Sequence, residues 1–145
     1  MKYLLFISLV LIFNGCSEDR EIKPAIVKYG QDTCTGCSMI ISEVPYSAQY
    51  ILTDGSVKKF DDIGCMIDYI KHTDNELDMI AAVYVHDYNS NKWIDAKRAL
   101  FLHSRLIITP MGHGIIAFSN DEDLKKEQTK SGGKYLGNLL DLINQ

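Results

Sequence analysis

The chain has 145 residues, a formal net charge of −4 at pH 7 and 46% hydrophobic residues. This length allows one compact domain, or two very small units that share a core. The mildly acidic charge argues against a nucleic acid partner, because the phosphate backbone attracts basic surfaces.

The start of the chain has the pattern of an export signal. An apolar run from Leu4 to Phe13 follows a positively charged start, and a Gly-Cys pair that ends at Cys16 closes it. The run is too short to span a bilayer, which takes roughly 20 residues. We therefore predict a lipoprotein signal peptide at 1–15, lipidation of Cys16 and a polar tether at 16–23, with the mature protein anchored on the extracytoplasmic (periplasmic) side. An ordinary signal peptide or a short anchor helix is the alternative.

The segment 24–145 is predicted to fold as a small α+β domain with antiparallel strands. Asp54-Gly55 between two strand-like runs indicates a hairpin turn, and Asp61-Asp62 then supplies an N-cap for a helix. In chain order, the pattern predicts strands at Tyr46–Thr53 and Ser56–Phe60, a helix that ends near His72, and strands at Met79–Val85 and Leu100–Thr109.

The same pattern recurs in the second half of the chain. A strand is predicted at Ile115–Phe118, a capped helix at about Glu122–Thr129, an additional strand at Tyr135–Leu136 and a helical turn at Leu139–Ile143. When Phe118 is aligned with Phe60, Asn120 falls on Asp62. We therefore predict two similar β-β-α-type units, at about 34–85 and 98–145, with chance similarity as the alternative.

Three cysteines remain once Cys16 is assigned to the lipid, namely Cys34, Cys37 and Cys65. A disulfide between two of them would leave an unpaired thiol in an oxidising compartment. If all three cysteines stay reduced and bind a metal, no thiol is left without a partner. The odd number therefore favours a metal site.

The Cys34-Thr35-Gly36-Cys37 motif is compatible with three kinds of chemistry: a dithiol redox couple, half of a zinc site, or ligands for a soft metal. Pro45 follows too soon for a long helix, which disfavours a thioredoxin-like site. A zinc site would need Cys65 and His113 as further ligands, because the chain has no second Cys pair.

Cys65 lies on the first predicted helix, away from its apolar stripe. At about 100° per residue it falls roughly 150° from the centre of that stripe, on the face of Tyr69 and His72. A cysteine used for packing is expected on the stripe, so Cys65 either lines a site or is a small inert residue under a loop.

Met111-Gly112-His113-Gly114 places a thioether beside an imidazole in a glycine-rich turn. Met111 lies outside any apolar periodicity, and Met39 adds another thioether close after Cys37. Sulfur and imidazole are the ligands that a soft metal ion prefers, and Cu(I) is the softest common one. The alternatives are a Met111 that fills a gap in the core and a His113 on the surface.

Four short segments form a combined pattern: Cys34-x-x-Cys37-x-Met39-Ile40, Tyr46-x-Ala48-Gln49, Phe60-Asp61-Asp62-Ile63-Gly64-Cys65-Met66 and Met111-Gly112-His113-Gly114-x-x-Ala117-Phe118. Together, and in this order, they resemble the NosL family of copper-binding lipoproteins that serve the maturation of nitrous oxide reductase. The resemblance covers nearly all of the mature chain. Ser38 stands where many members have glycine.

The resemblance implies a small α+β fold of two similar units that binds Cu(I) and delivers it to apo nitrous oxide reductase or its maturation machinery. We expect a metallochaperone and not an enzyme, because the chain has no phosphate-binding glycine loop and no supported Ser/His/Asp arrangement. The expected metal ligands are drawn from Cys34, Cys37, Met39, Cys65, Met111 and His113. The alternatives are an exported dithiol-disulfide oxidoreductase that uses Cys34 and Cys37, and a binding module with structural zinc.

Overall fold

A computed structural model describes residues 22–73 and 76–144 of the chain. The predicted signal peptide, the lipidation site Cys16 and most of the tether lie outside these described residues. Within them, no helix is both long enough and apolar enough to cross a membrane.

The first unit is built on a four-stranded antiparallel sheet in the order β2-β1-β3-β4. Its strands are β1 (Ala48–Leu52), β2 (Val57–Phe60), β3 (Ile80–His86) and β4 (Trp93–Asp95), and helix α1 (Ile63–His72) follows β2. Short 3₁₀ turns at Val44–Tyr46 and Leu77–Met79 precede β1 and β3. The sequence pattern did not indicate β4, which has only three residues.

The second unit has a three-stranded antiparallel sheet in the order β6-β5-β7. It consists of β5 (Leu100–His103), β6 (Ile115–Phe118), α2 (Asp121–Ser131), β7 (Lys134–Gly137) and α3 (Leu139–Asn144). The predicted α+β class with antiparallel strands is confirmed.

The strand predicted at Leu100–Thr109 is wrong beyond His103, where the chain leaves the sheet. The Ser104 hydroxyl donates a hydrogen bond to the Ser131 carbonyl and accepts one from the Leu106 N–H, which starts a turn. The resulting loop carries the chain to Gly114, and it contributes to the candidate site described below.

The two hairpin–helix units correspond closely. Ala48 in β1 pairs with Phe60, the last residue of β2, and Leu100 in β5 pairs with Phe118, the last residue of β6. Two residues after each phenylalanine, a side chain caps the next helix: Asp62 caps α1 and Asn120 caps α2. The predicted likeness of the two units is therefore visible in the backbone.

The two units share one main hydrophobic core. The α1 stripe of Ile63, Met66, Ile67 and Ile70 is buried as its helical spacing predicts. It belongs to the same cluster as Phe101 of β5, Ala117 of β6 and Leu139 of α3. The shared core fixes the start of α1 against the β5–β6 loop, and this junction forms the candidate site.

Candidate metal centre

The segment that carries Cys34 and Cys37 is a tight turn and not a helix. The Cys34 N–H donates to the Met39 carbonyl at 2.7 Å, and the Ser38 N–H donates to the Cys34 carbonyl at 2.9 Å. The Thr35 N–H donates to the Lys59 carbonyl at 2.7 Å, so β2 holds the turn in place. The two cysteines are therefore presented by backbone hydrogen bonds at the end of β2, where Asp61 follows.

Ser38 adopts a φ of +63°, in the left-handed region that glycine tolerates best. The turn between Cys37 and Met39 therefore has the backbone shape that a glycine would favour, and serine adopts it at a steric cost.

Four side chains converge at this turn: Cys34, Cys37, Asp61 and Cys65. One potential ligand atom from each lies within 4.8 Å of all the others. The Cys34 and Cys65 sulfur atoms are 3.5 Å apart, and the Cys37 thiol donates long hydrogen bonds to Asp61 at 3.7 and 3.8 Å. The three cysteines that the sequence assigned to a common site are thus brought together.

The three thiols differ in how deeply they are buried. Cys34 and Cys65 are buried, whereas Cys37 is half-buried. Burial raises the pKa of Cys34, although N–H groups of Cys37 and Asp61 point at its sulfur and act in the opposite direction. Burial also raises the pKa of Cys65, and the neighbouring Cys34 adds to the effect. Burial therefore favours the neutral thiol form of both groups.

Cys65 reaches the cluster because it lies in the first turn of α1. The Asp62 carboxylate caps this helix by accepting hydrogen bonds from the Gly64 N–H at 2.6 Å and the Cys65 N–H at 3.3 Å. Gly36 permits the close approach, since a Cβ atom there would lie 2.8 Å from the Cys65 sulfur.

An open cavity of about 390 Å³ lies beside the cysteine cluster. It is lined by Gly36, Cys37, Cys65, Asp68, Tyr69, His72, Met111 and His113. Cys65 thus shares a wall with Tyr69 and His72, on the helix face that the sequence pattern indicated. Met111 and His113 also line this cavity, so the second unit contributes to the site.

His113 is held between two carboxylates of the first unit. Its Nε2 atom lies 3.0 Å from Asp68 and its Nδ1 atom 3.1 Å from Asp62. The Nδ1 atom is buried, and its contact with Asp62 lacks the alignment of a hydrogen bond. The imidazole must give up one of these contacts before a ring nitrogen can bind a metal ion.

The other predicted site residue, Met39, lies apart from this arrangement. Its side chain is 53% exposed, and it is absent from the described lining of the cavity. Its backbone carbonyl, by contrast, closes the turn that carries Cys34.

One residue of the site has a role that the sequence does not predict. The sequence assigns the cap of α1 to the Asp61-Asp62 pair, but Asp62 alone caps the helix, and Asp61 points into the cysteine cluster. The Asp-Asp pair directly before a cysteine-bearing helix was the available signal.

The donor set suits a thiophilic ion. Three sulfur atoms lie close enough to share one ion, and a thioether and an imidazole line the adjoining space. The Asp61 carboxylate is a hard ligand that Zn²⁺ accepts more readily than Cu(I) does. The chemistry of the centre therefore permits both ions and favours Cu(I) where only sulfur and nitrogen bind.

Comparison with known proteins gives consistent results. A family model described as NosL matches residues 27–139. The copper-binding lipoprotein NosL of Stutzerimonas stutzeri is 27% identical over an alignment of 144 residues, and the match covers 92% of this chain and 75% of the relative. The crystal structure of the copper chaperone NosL from Shewanella denitrificans has the same fold, with a TM-score of 0.69 at 24% identity over 79% of this chain and 92% of that chain. The family match includes every described residue of the candidate centre.

Proposed function

This chain belongs to the NosL family, and we propose that it is a Cu(I)-binding metallochaperone lipoprotein that delivers copper for the maturation of nitrous oxide reductase. The observation that carries the proposal is the convergence of Cys34, Cys37 and Cys65 beside a cavity that Met111 and His113 also line. Sulfur-rich sites with few ligands select Cu(I) over harder ions.

Loading of the site requires that thiols lose protons, because the thiolate is the form that binds metal. The buried thiols have raised pKa values and remain neutral until the ion arrives. The N–H groups of Cys37 and Asp61 that point at the Cys34 sulfur then stabilise the thiolate that forms. The apoprotein thereby avoids two adjacent negative sulfur atoms at Cys34 and Cys65, and the thiol protons that Cu(I) displaces are released to the solvent.

The open side of the cavity provides a route by which the ion can be released to a partner. Cys37 is half-buried and Met111 is 39% exposed, so an incoming ligand can reach an ion held between them. Neutral thioether and imidazole ligands hold Cu(I) less strongly than thiolates do. A partner that offers stronger ligands can therefore take the ion stepwise through the mouth of the cavity.

Attachment to the membrane rests on the sequence of the export signal. We propose that Cys16 carries the lipid and holds the domain on the extracytoplasmic side. Replacement of Cys16 by alanine should abolish lipid labelling and leave unprocessed precursor or released protein. A processed Cys16→Ala protein that stays in the membrane fraction would contradict lipidation at this residue.

The two alternatives make different chemical demands. A dithiol oxidoreductase needs an accessible nucleophile with a lowered pKa, whereas Cys34 is 2% exposed and has a raised pKa. A structural zinc site is favoured by one observation, the Asp61 carboxylate within the cysteine cluster. Metal content after anaerobic, reducing purification separates the three functions: about one Cu(I), a titratable disulfide without metal, or tightly held zinc.

Copper delivery is tested by transfer to the acceptor itself. Copper-loaded protein should donate Cu(I) to copper-free nitrous oxide reductase and raise its activity, while a variant with all three cysteines changed to serine should not. If loaded wild-type protein keeps its copper in the presence of the apo-reductase and of its maturation machinery, the proposed delivery is wrong.

A further inference from the structure

One buried carboxylate connects both halves of the candidate centre. Asp62 is fully buried, and its Oδ1 atom accepts the Gly64 and Cys65 N–H groups at the start of α1. Its Oδ2 atom accepts the Thr109 hydroxyl and, at 3.3 Å, the Met111 N–H of the β5–β6 loop. The same side chain therefore fixes a cysteine of the first unit and a methionine of the second.

Thr109 is the counterpart of Asp62 on the loop. Its side chain is buried, and its hydroxyl oxygen accepts the Gly114 N–H at 3.1 Å while it donates to Asp62. The Thr109 carbonyl accepts the Gly112 N–H at 2.9 Å. Thr109 thus closes the Met111–His113 turn at its base and connects this turn to α1.

The fit between the loop and the helix leaves no spare room. A Cβ atom on Gly64 would lie 2.2 Å from the Cγ atom of His113. The imidazole therefore lies directly on the first turn of α1, over the backbone that the Asp62 cap organises. The glycine is needed here for space, because a larger residue would push the loop away.

We infer that Asp62 and Thr109 are positioning residues that hold the Met111–His113 turn over the cysteine cluster and thereby set the Cu(I) affinity of the site. This inference rests on the proposed function. A buried carboxylate requires full hydrogen bonding, and Thr109 supplies the donor that links it to the loop. Without the hydroxyl, Oδ2 keeps only the long Met111 contact, so water or a rearranged loop must replace the lost donor.

The test uses Thr109→Val, which keeps the shape of the side chain and removes the hydroxyl, and Thr109→Ser, which keeps the hydroxyl. We expect Thr109→Val to weaken Cu(I) binding by about tenfold, the lower end of the effects seen for residues that orient metal ligands. Thr109→Ser should restore binding to near the wild-type value. Ser47→Ala, which removes a buried hydroxyl bonded to Val44, controls for general destabilisation.

A positioning role predicts that the effect depends on the turn. In a background that carries Met111→Leu and His113→Ala, Thr109→Val should change affinity by less than about twofold, since nothing remains to be positioned. A purely structural effect would persist in this background. Equal affinity of wild type and Thr109→Val, or the same loss in both backgrounds, would overturn the inference.

A second measurement does not need copper. Amide hydrogen exchange of Met111 and Gly114 in the copper-free protein should accelerate in Thr109→Val and not in Thr109→Ser. Unchanged exchange would overturn the inference even if the protein bound no Cu(I). Failure of wild-type protein to bind Cu(I) would refute the proposed function separately.

Discussion

The Cys34 and Cys65 sulfur atoms lie 3.5 Å apart, although 31 positions separate the two residues in the chain. The helix cap at Asp62 and the space left by Gly36 bring about this approach. Cys34 is therefore within reach of a thiol of α1 as well as of the other cysteine of its own motif.

This relationship predicts the product of oxidation. Mild treatment of the metal-free protein with diamide should give a Cys34–Cys65 disulfide, which peptide mapping without reduction would identify. The oxidised form should lose most of its Cu(I) affinity and regain it on reduction, because a disulfide offers no thiolate. A fully oxidised form that binds Cu(I) as tightly as the reduced one would exclude these cysteines as ligands.

Met111→Leu removes a thioether and keeps the size and apolarity of the side chain. Cu(I) affinity should fall by about tenfold, on the scale by which changes in and around a metal site alter binding. The free energy of unfolding should change by less than about 1.5 kcal/mol, since the swap conserves volume and the residue is partly exposed. Cu(I) competition titrations with thermal melts measure both, and wild-type affinity would remove Met111 from the site.

Gly64→Ala tests the contact between α1 and the loop. Alanine alone would stabilise a helix by about 1 kcal/mol relative to glycine. Here its Cβ would collide with the Cβ and Cγ atoms of His113. The free energy of unfolding should therefore fall by about 1–3 kcal/mol, the range for overpacking. In a His113→Gly background the same alanine should be neutral or stabilising. Chemical denaturation of the four proteins completes the cycle, and a stabilising Gly64→Ala single variant would contradict the packing described.

Asp61→Asn separates copper from zinc chemistry. The substitution keeps the shape of a side chain that is 1% exposed and removes the charge that faces Cys37. Zn²⁺ affinity should fall by about tenfold or more, because Zn²⁺ accepts carboxylate ligands, whereas Cu(I) affinity should change by only about threefold. Parallel titrations with both ions decide this, and a larger loss for Cu(I) than for Zn²⁺ would place Asp61 in the copper site.

Much of the fold could be predicted from local sequence signals. The Asp54-Gly55 turn, the apolar stripe of α1 and the cap at Asp62 each act over a few residues, and each appears in the structure where the pattern indicated. The position of Cys65 opposite the stripe also followed from helical geometry alone, which is why its shared wall with Tyr69 could be anticipated.

The remaining features depend on contacts that no local pattern encodes. The run from Leu106 to Thr109 has the composition of a strand, but the hydrogen bond from Ser104 to Ser131 turns it out of the sheet. Asp61 enters the cysteine cluster only because the turn that carries Cys34 is fastened to β2. Both features depend on contacts between residues that are far apart in the sequence.

We propose that the cysteine cluster and the Met111–His113 turn together bind a single Cu(I) ion. An anaerobic Cu(I) competition titration of the reduced protein, with X-ray absorption at the copper edge on the loaded sample, tests this binding. The expected result is one Cu(I) per chain in a sulfur-dominated environment, with tight binding lost when the three cysteines become serine. A wild-type protein that binds no stoichiometric Cu(I), or a triple serine variant that binds it as tightly as the wild type, would refute the proposed site.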